Sequence, residues 1–335
     1  MENNYVTSFP NIMKGKKILY VHGFASSGQS GTAVKIRQLL PGAEVIAPDL
    51  PIHPAEAIEL LRNTCNEIKP DLIIGTSMGG MYTEMLYGYD RILVNPAFQI
   101  GDTILKNNML GKVTFLNPRK DGIKEFMMTK QLQEEYREMT GNCFSAVSYE
   151  ERTQRVFGLF GIEDPLVHTF ELFASHYNNA IQFHGEHRLN DSILLHSVMP
   201  VIQWIDDRQN GRERNIIYIS VEDTLRKGNT LLPSALKGYR YLLEYYNIYL
   251  VADAPTNNPQ YAADMQSWVK DNIGVPSYNR LILTNQKNLL YGDYLIDAHE
   301  DNGTTEFMST RLHFGDETFK TWDDVIEYFS HLGGQ

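Results

Sequence analysis

Short runs rich in Ile, Leu and Val alternate with amphipathic stretches along the first part of the chain. KKILYVHG (16–23), AEVIAPDL (43–50), DLIIGTS (71–77), RILVNPA (91–97), RVFGLFG (155–161) and NAIQFHG (179–185) carry apolar side chains on both faces, as strands buried in a parallel sheet do. Between them SGTAVKIRQLL, AEAIELLRNTCNEI, GGMYTEMLYGY and DSILLHSVMPVIQWIDD read as helices. This alternation predicts right-handed βαβ units with helices on both faces of the sheet. Residues 101–152 break the rhythm with a Met- and Phe-rich, helix-leaning segment, KEFMMTKQLQEEYREM. A connection of that length either covers a site as a cap or is an ordinary helical excursion.

The polar stretch DDRQNGRERN (206–215) is charged, contains Gly and lacks apolar periodicity, which predicts a boundary between a domain at 1–210 and another at 211–335. After it the rhythm restarts. NIIYISVE (215–222), NIYLVADA (247–254), RLILTNQ (280–286) and DYLIDAH (293–299) read as strands, with LLPSALKGYRYLLEYY and NPQYAADMQSWVKDNI as helices. The final helix, TWDDVIEYFSHL, opens with Thr321 followed by Asp323 and Asp324, an N-terminal capping and dipole pattern. The expected fold class is α/β in both halves: a parallel sheet with an inserted cap, then a second, Rossmann-like α/β domain.

Composition narrows the function. The 335 residues are 42 % hydrophobic and 21 % charged, so the chain can bury real cores. Net charge is −11, divided as −5 before residue 210 and −6 after it. Neither half offers the positive field that a phosphate backbone requires, and no nucleic-acid partner is expected. Cys65 and Cys143 are the only cysteines, too few for a disulfide framework and unlike the clustered spacing of a zinc site. The opening MENNYVTSFPNIMKGKK has no apolar core followed by small residues, which argues against a secretory leader. No apolar run approaches the ~20 residues that span a bilayer. A cytoplasmic protein without a membrane partner is expected.

The strongest chemical signal is Gly75-Thr76-Ser77-Met78-Gly79-Gly80, directly after DLII and directly before a helix-like run. In strand–turn–helix context, G-x-S-x-G describes a sharp turn that holds a serine hydroxyl above the sheet edge. The bland alternative is a glycine turn with a spectator serine. A serine nucleophile needs a base, and the base an orienting acid, in the chain order Ser, Asp/Glu, His. GLFGIEDPLV supplies Asp164, with Glu163 as competitor, and QFHGEHRLND supplies His187, with His184 as competitor. Asp164 is preferred because G-x-x-D-x-x-V places it in the turn before a helix. His187 is preferred because it lies farther past the strand end. His168 and His176 are expected on a surface helix. The His-Gly turn at Tyr20-Val21-His22-Gly23-Phe24 points the Phe24 N–H toward the nucleophile, where it and the Met78 N–H form a candidate oxyanion hole. His22 itself is expected to hold the loop.

These stretches carry a resemblance. ILYVHGFASSGQS, APDLPIHPAEAIELL, PDLIIGTSMGG with Tyr82, ILVNPA and FHGEHRL together resemble the YqiA-like esterases of the α/β-hydrolase superfamily over residues 16–206. The resemblance implies hydrolysis of a small-molecule carboxylic ester through an acyl-serine, with Ser77 as nucleophile, His187 as general base and Asp164 as its orienter. No cofactor is implied. Phe115, Phe126, Met127 and Met128 in the inserted segment suggest an apolar acyl pocket.

Residues 214–330 resemble the haloacid-dehalogenase-like hydrolases, closest to the deoxyribonucleotidases, through IYISVEDTL, IYLVADAP, NNPQYAADMQSWV, LILTNQKNLLYGDYLID and LHFGDETFKTWDDV. In that family D-x-D supplies the nucleophile and general acid, and here those positions hold Ser220 and Glu222. The family's Ser/Thr falls on Ala252, its phosphate-binding Lys on Met265 and the second Asp of its acidic pair on Ala298. Asp297 remains as a vestige of the metal set, so no metal is expected. Lys287 is a candidate to replace the missing cation, but its loop-like setting favours a surface residue. The resemblance thus implies a pseudo-phosphatase domain with a structural or interaction role. Its tyrosines (Tyr239, Tyr241, Tyr245, Tyr246, Tyr249) suggest a homo-oligomer interface, although helix-spaced aromatics also suit a core. The rival readings are a Mg²⁺-dependent phosphatase or nucleotidase in the second half, and a non-enzymatic scaffold.

Overall fold

A computed structural model describes residues 8–333; the first seven residues of the segment read as lacking a leader lie outside it. Among the described residues, no helix is long and apolar enough to cross a membrane. The chain divides into two compact units between Asn210 and Gly211.

In the first unit, β1 (Lys17–Val21), β2 (Glu44–Ile46), β3 (Leu72–Thr76), β4 (Arg91–Val94), β7 (Val156–Gly161) and β8 (Asn179–Phe183) form a parallel sheet in the order β2-β1-β3-β4-β7-β8. The interposed β5 (Gly111–Thr114) and β6 (Glu125–Met128) pair only with each other, antiparallel. Helices α1 (Gly31–Leu39), α2 (Pro54–Ile68), α3 (Met78–Glu84), α4 (Ile100–Lys106), α5 (Lys130–Thr140) and α6 (Phe170–His176) fill the connections. A short α7 (Asp191–Ile193) runs through a π-helical turn into α8 (Met199–Asn210). Local sequence explains the helix starts. The Ser30 and Thr129 hydroxyls accept the N–H groups of Ala33 and Leu132, and Pro54 opens α2, where a missing N–H costs nothing. On α2 the residues Ala57, Ile58, Leu61 and Cys65 form the buried stripe that packs on the sheet.

One expectation is corrected here. KEFMMTKQLQEEYREM is not one helix: EFMM is strand β6, and the helix starts only after the Thr129 cap. The period-2 burial of EFMM, with Phe126 and Met128 inward, was hidden inside a helix-leaning window. Within DDRQNGRERN, α8 continues to Asn210, and Asp206 is buried beside Lys16 at 2.8 Å.

The second unit holds β9 (Ile216–Ser220), a small hairpin of β10 (Arg226–Lys227) and β11 (Thr230–Leu231), then β12 (Asn247–Ala252), β13 (Leu281–Leu283), β14 (Tyr294–Asp297) and β15 (Thr310–His313). Its parallel sheet runs β13-β12-β9-β14-β15. Helices α9 (Ala235–Tyr245), α10 (Gln260–Asn272) and α11 (Trp322–His331) cover it. The Thr321 hydroxyl accepts the Asp324 N–H while the Asp324 carboxylate accepts the Thr321 N–H, a closed capping box. Tyr239 and Tyr246, expected as interface candidates, are buried in this unit's core.

Beneath α3 lies a buried charge network. Arg91 donates to Glu151 at 2.7 Å and to the carbonyls of Thr83 and Glu84, with both charged side chains almost fully enclosed. Glu151 also accepts the N–H groups of Gly88 and Ser148. Removing one partner leaves the other charge buried without compensation, so Glu151→Ala is expected to cost ~3–5 kcal/mol. A lowered urea midpoint with an unchanged slope is the check.

Candidate active site

β3 ends at Thr76 and α3 begins at Met78, so Ser77 alone makes the turn between them. Its φ of +55° and ψ of −120° form a strained pair for a residue with a β-carbon, costing ~1–3 kcal/mol. Only glycine fits on either side. A β-carbon at Gly75 would overlap the Thr83 hydroxyl and the Gly79 carbonyl, and one at Gly79 would overlap the Val21 carbonyl. The strained residue is clamped by its own backbone: its N–H donates to Val94 O at 2.9 Å, and its carbonyl accepts the Ala97 N–H at 3.0 Å. The hydroxyl therefore stands at the C-terminal edge of the sheet beside the β1–β3 pair, where the strand order reverses.

The loop after β8 brings His187 Nε2 to 3.0 Å from Ser77 Oγ, and the turn after β7 brings Asp164 Oδ2 to 2.7 Å from His187 Nδ1. The other Asp164 oxygen accepts the N–H groups of Leu166 and Val167, which explains the G-x-x-D-x-x-V spacing. Burial pushes the Asp164 pKa up, but the His187 hydrogen bond and these two N–H groups outweigh it and hold the carboxyl below its ordinary value. An ionised Asp164 takes the Nδ1 proton as its hydrogen-bond donor, which leaves Nε2 free to accept from the serine hydroxyl.

The competing residues are elsewhere. Glu163 and His184 face each other at 3.6 Å with both side chains about half exposed. His168 is exposed, and His176 ends α6 with its ring stacked on Phe144. His22 is buried, and burial lowers its pKa. Its Nδ1 lies 2.9 Å from the Gly23 carbonyl and its Nε2 accepts the Leu50 N–H, so it ties the β1 loop to the PDLP turn. That loop lies against the nucleophile turn, because a β-carbon at Gly23 would stand 3.3 Å from Ser77 Cβ. Phe24 follows in the same loop. Met78 is the first residue of α3, where an N–H has no intrahelical partner.

Sequence reasoning passed over Asn95, whose only signal was its place in VNPA. It is buried at φ +45° after β4. Its side-chain nitrogen donates to the carbonyls of Glu186 and His187, both at 3.1 Å, and its side-chain oxygen accepts the Gly161 N–H at 2.8 Å. One amide thus joins the loop of the histidine to the strand end that leads to Asp164. Of the residues suggested as an acyl pocket, Phe115 and Phe126 pack together beside Phe24, and Met128 is buried in the core. Met127 faces solvent and is corrected out of that set, because the strand alternation turns it outward.

In the second unit, a cavity of about 370 Å³ opens at the strand ends and is lined by Ser220, Glu222, Asp253, Tyr261, Lys287 and His299, among others. Lys287 is not on the surface: it is buried, and its ammonium lies 2.6 Å from Asp297 Oδ2. That same oxygen accepts from the Ser220 and Thr304 hydroxyls, and Oδ1 accepts the His299 N–H. A buried lysine keeps its charge only against a carboxylate, and the fully buried Asp297 supplies one. Glu222 is paired with Arg226 and accepts from the Tyr261 hydroxyl. Met265 lies in the core. A divalent ion does not fit beside Asp297: Ser220 offers a neutral hydroxyl, and Asp297 is saturated by donors that include an ammonium. Among the described residues, no group of three His, Cys, Asp or Glu side chains could hold a metal.

Residues 17–143 match the sequence profile of an uncharacterised protein family (UPF0227). A protein of Vibrio phage KVP40, named "Putative 5'(3')-deoxyribonucleotidase", is 35 % identical over 99 residues, which is 30 % of this chain and 58 % of that one. The chain therefore spans less than two thirds of the length of that relative. Among solved structures, Est1E from Butyrivibrio proteoclasticus is similar with a TM-score of 0.39 and 15 % identity, covering 60 % of this chain and 90 % of that chain. A thioesterase domain from the curacin biosynthetic pathway has a TM-score of 0.36 and 14 % identity, covering 59 % of this chain and 92 % of that chain.

Asn95→Gly keeps a backbone free to take positive φ while deleting the amide. It is expected to lower kcat of any Ser77-dependent reaction by about 100-fold with little change in KM, as a displaced base does. Steady-state kinetics alongside a thermal melt check this. In the other unit, Lys287→Met strands a buried carboxylate and is expected to destabilise the fold by ~3–5 kcal/mol. Chemical denaturation of the full chain, read by fluorescence, checks it.

Proposed function

We propose that the first unit is a serine carboxylic-ester hydrolase, and the observation that carries the reading is the hydrogen-bonded relay from Ser77 through His187 to Asp164. Ser77 Oγ attacks the ester carbonyl while its proton passes to His187 Nε2. Asp164 stabilises the imidazolium that forms. The charge that develops on the carbonyl oxygen is met by the N–H groups of Phe24 and Met78. The imidazolium then returns the proton to the departing alcohol, leaving an acyl-serine. A water molecule, deprotonated by the same nitrogen, releases the acid and restores the serine. No metal or cofactor enters any step.

The aromatic cluster of Phe24, Phe115 and Phe126 beside the turn favours an apolar acyl group. The UPF0227 match over residues 17–143 covers the stretch that carries Phe24, Ser77 and Met78. For the second unit we propose a structural or interaction role without phosphoryl transfer. The likeness to the phage protein named as a deoxyribonucleotidase supports the frame, whereas Ser220 and the saturated Asp297 argue against the chemistry.

Hydrolysis of p-nitrophenyl esters from acetyl to long acyl chains tests the reading. Wild type is expected to turn over and to be labelled by a fluorophosphonate, and Ser77→Ala to lose ~10³-fold or more and escape the label. Activity that survives the substitution would refute the assignment. Release of phosphate from a nucleoside monophosphate in Mg²⁺ by Ser77→Ala protein would refute the reading of the second unit.

A further inference from the structure

The β5–β6 hairpin has two unlike faces. Its register pairs Lys112 with Met127 and Thr114 with Glu125, and the Phe115 N–H bonds to the Lys124 carbonyl one step farther on. Alternation then places Lys112, Thr114, Leu116, Ile123, Glu125 and Met127 on one face. All six are exposed, and the apolar ones strongly so: Leu116 is 65 % exposed, Met127 58 % and Ile123 44 %. The opposite face carries Val113 and Phe126 onto the core and brings Phe126 to within 5.8 Å of Phe24.

This outward apolar face is fixed in place. The Leu116 N–H donates to Ala25 O, the Ser27 hydroxyl to Pro118 O, the Lys120 N–H to the Asp49 carboxylate and Arg119 to Leu50 O. A two-stranded hairpin is marginal alone, so these bonds to the β1 loop and the PDLP turn hold it in one pose. The charge around it is also distinctive. From Leu105 to Lys130 there are six basic residues against two acidic ones, in a chain of net charge −11. Lys106, Lys120, Lys124 and Lys130 form no ion pair among the described residues. On the outer face itself Lys112 is paired with Glu125, and the unpaired charge comes from Lys120 in the hairpin's own loop and Lys124 next to Ile123 in sequence. Exposed Leu, Ile and Met with such lysines nearby suit shallow contact with acyl chains beneath anionic headgroups.

We propose that the outer face of the β5–β6 hairpin is a docking surface for an anionic lipid surface. The expectation of no membrane partner rested on the lack of a spanning segment, and a surface contact needs none. The docking does not depend on Ser77 being a nucleophile, so binding is measured directly. The full chain is floated with vesicles of phosphatidylcholine alone or with an equal part of phosphatidylglycerol, beside L116S/I123S/M127S and K120E/K124E variants.

Wild type is expected to bind the anionic vesicles, to be released by salt, and to bind the neutral ones about tenfold or more weakly. Each variant is expected to weaken that binding about tenfold while hydrolysing soluble p-nitrophenyl acetate as wild type does. Equal binding by wild type and both variants, or no binding by wild type, would overturn the proposal. So would self-association or capture of an acidic protein through this face without vesicle binding. Loss of ester hydrolysis in Ser77→Ala, or its absence in wild type, bears on the hydrolase reading and leaves the vesicle result standing.

Discussion

A residue with a β-carbon held at φ +55° between a buried strand and a helix persists only if its surroundings over-determine it. At Ser77 they do. Glycines flank it where any side chain would strike backbone, and its own N–H and carbonyl are tied to β4 and the loop beyond. The rest of the first unit is arranged around that fixed point. The β1 loop lies against it through Gly23, the β8 loop reaches it through His187, and Asn95 joins that loop to the β7 strand end. The geometry is thus set largely by backbone contacts and buried side-chain bonds rather than by mobile surface groups.

The second unit resolves the same architecture differently. Its central strand also ends in a hydroxyl residue, Ser220, but the hydroxyl is spent as a donor to a buried carboxylate. Asp297 collects hydroxyls, a backbone N–H and an ammonium, so the positive charge beside it is covalently part of the chain. The two parallel sheets therefore differ in the partner of the hydroxyl at the strand end: Ser77 meets a histidine ring, whereas Ser220 donates to a buried carboxylate.

Much of the first unit was legible because its signals are local. Gly75 to Gly80 marks the turn through sterics alone, and the order Ser77, Asp164, His187 follows from where the β-strands end. Asp164 was separable from Glu163 because its spacing to Val167 encodes a turn that the carboxylate closes. The hairpin was not legible. Four residues of strand alternation beside an eleven-residue helical run are outweighed in any window that contains both. Asn95 was passed over and the burial of Lys287 misjudged for another reason: their partners lie 66 to 92 and ten residues away, and only folding shows which polar groups end up enclosed together. Thr321 was readable because a capping box is complete within four residues.

Both thiols of the chain are withdrawn from chemistry. Burial pushes the Cys65 pKa up to about 11 on the stripe of α2, and burial pushes that of Cys143 up as well. Thiolates are the species that peroxide oxidises and that compete for acyl groups, and at neutral pH neither cysteine supplies one. An acyl-serine at Ser77, as proposed above, would therefore meet no thiolate of this chain competing for its acyl group, and its formation would not depend on a thiol that oxidants consume.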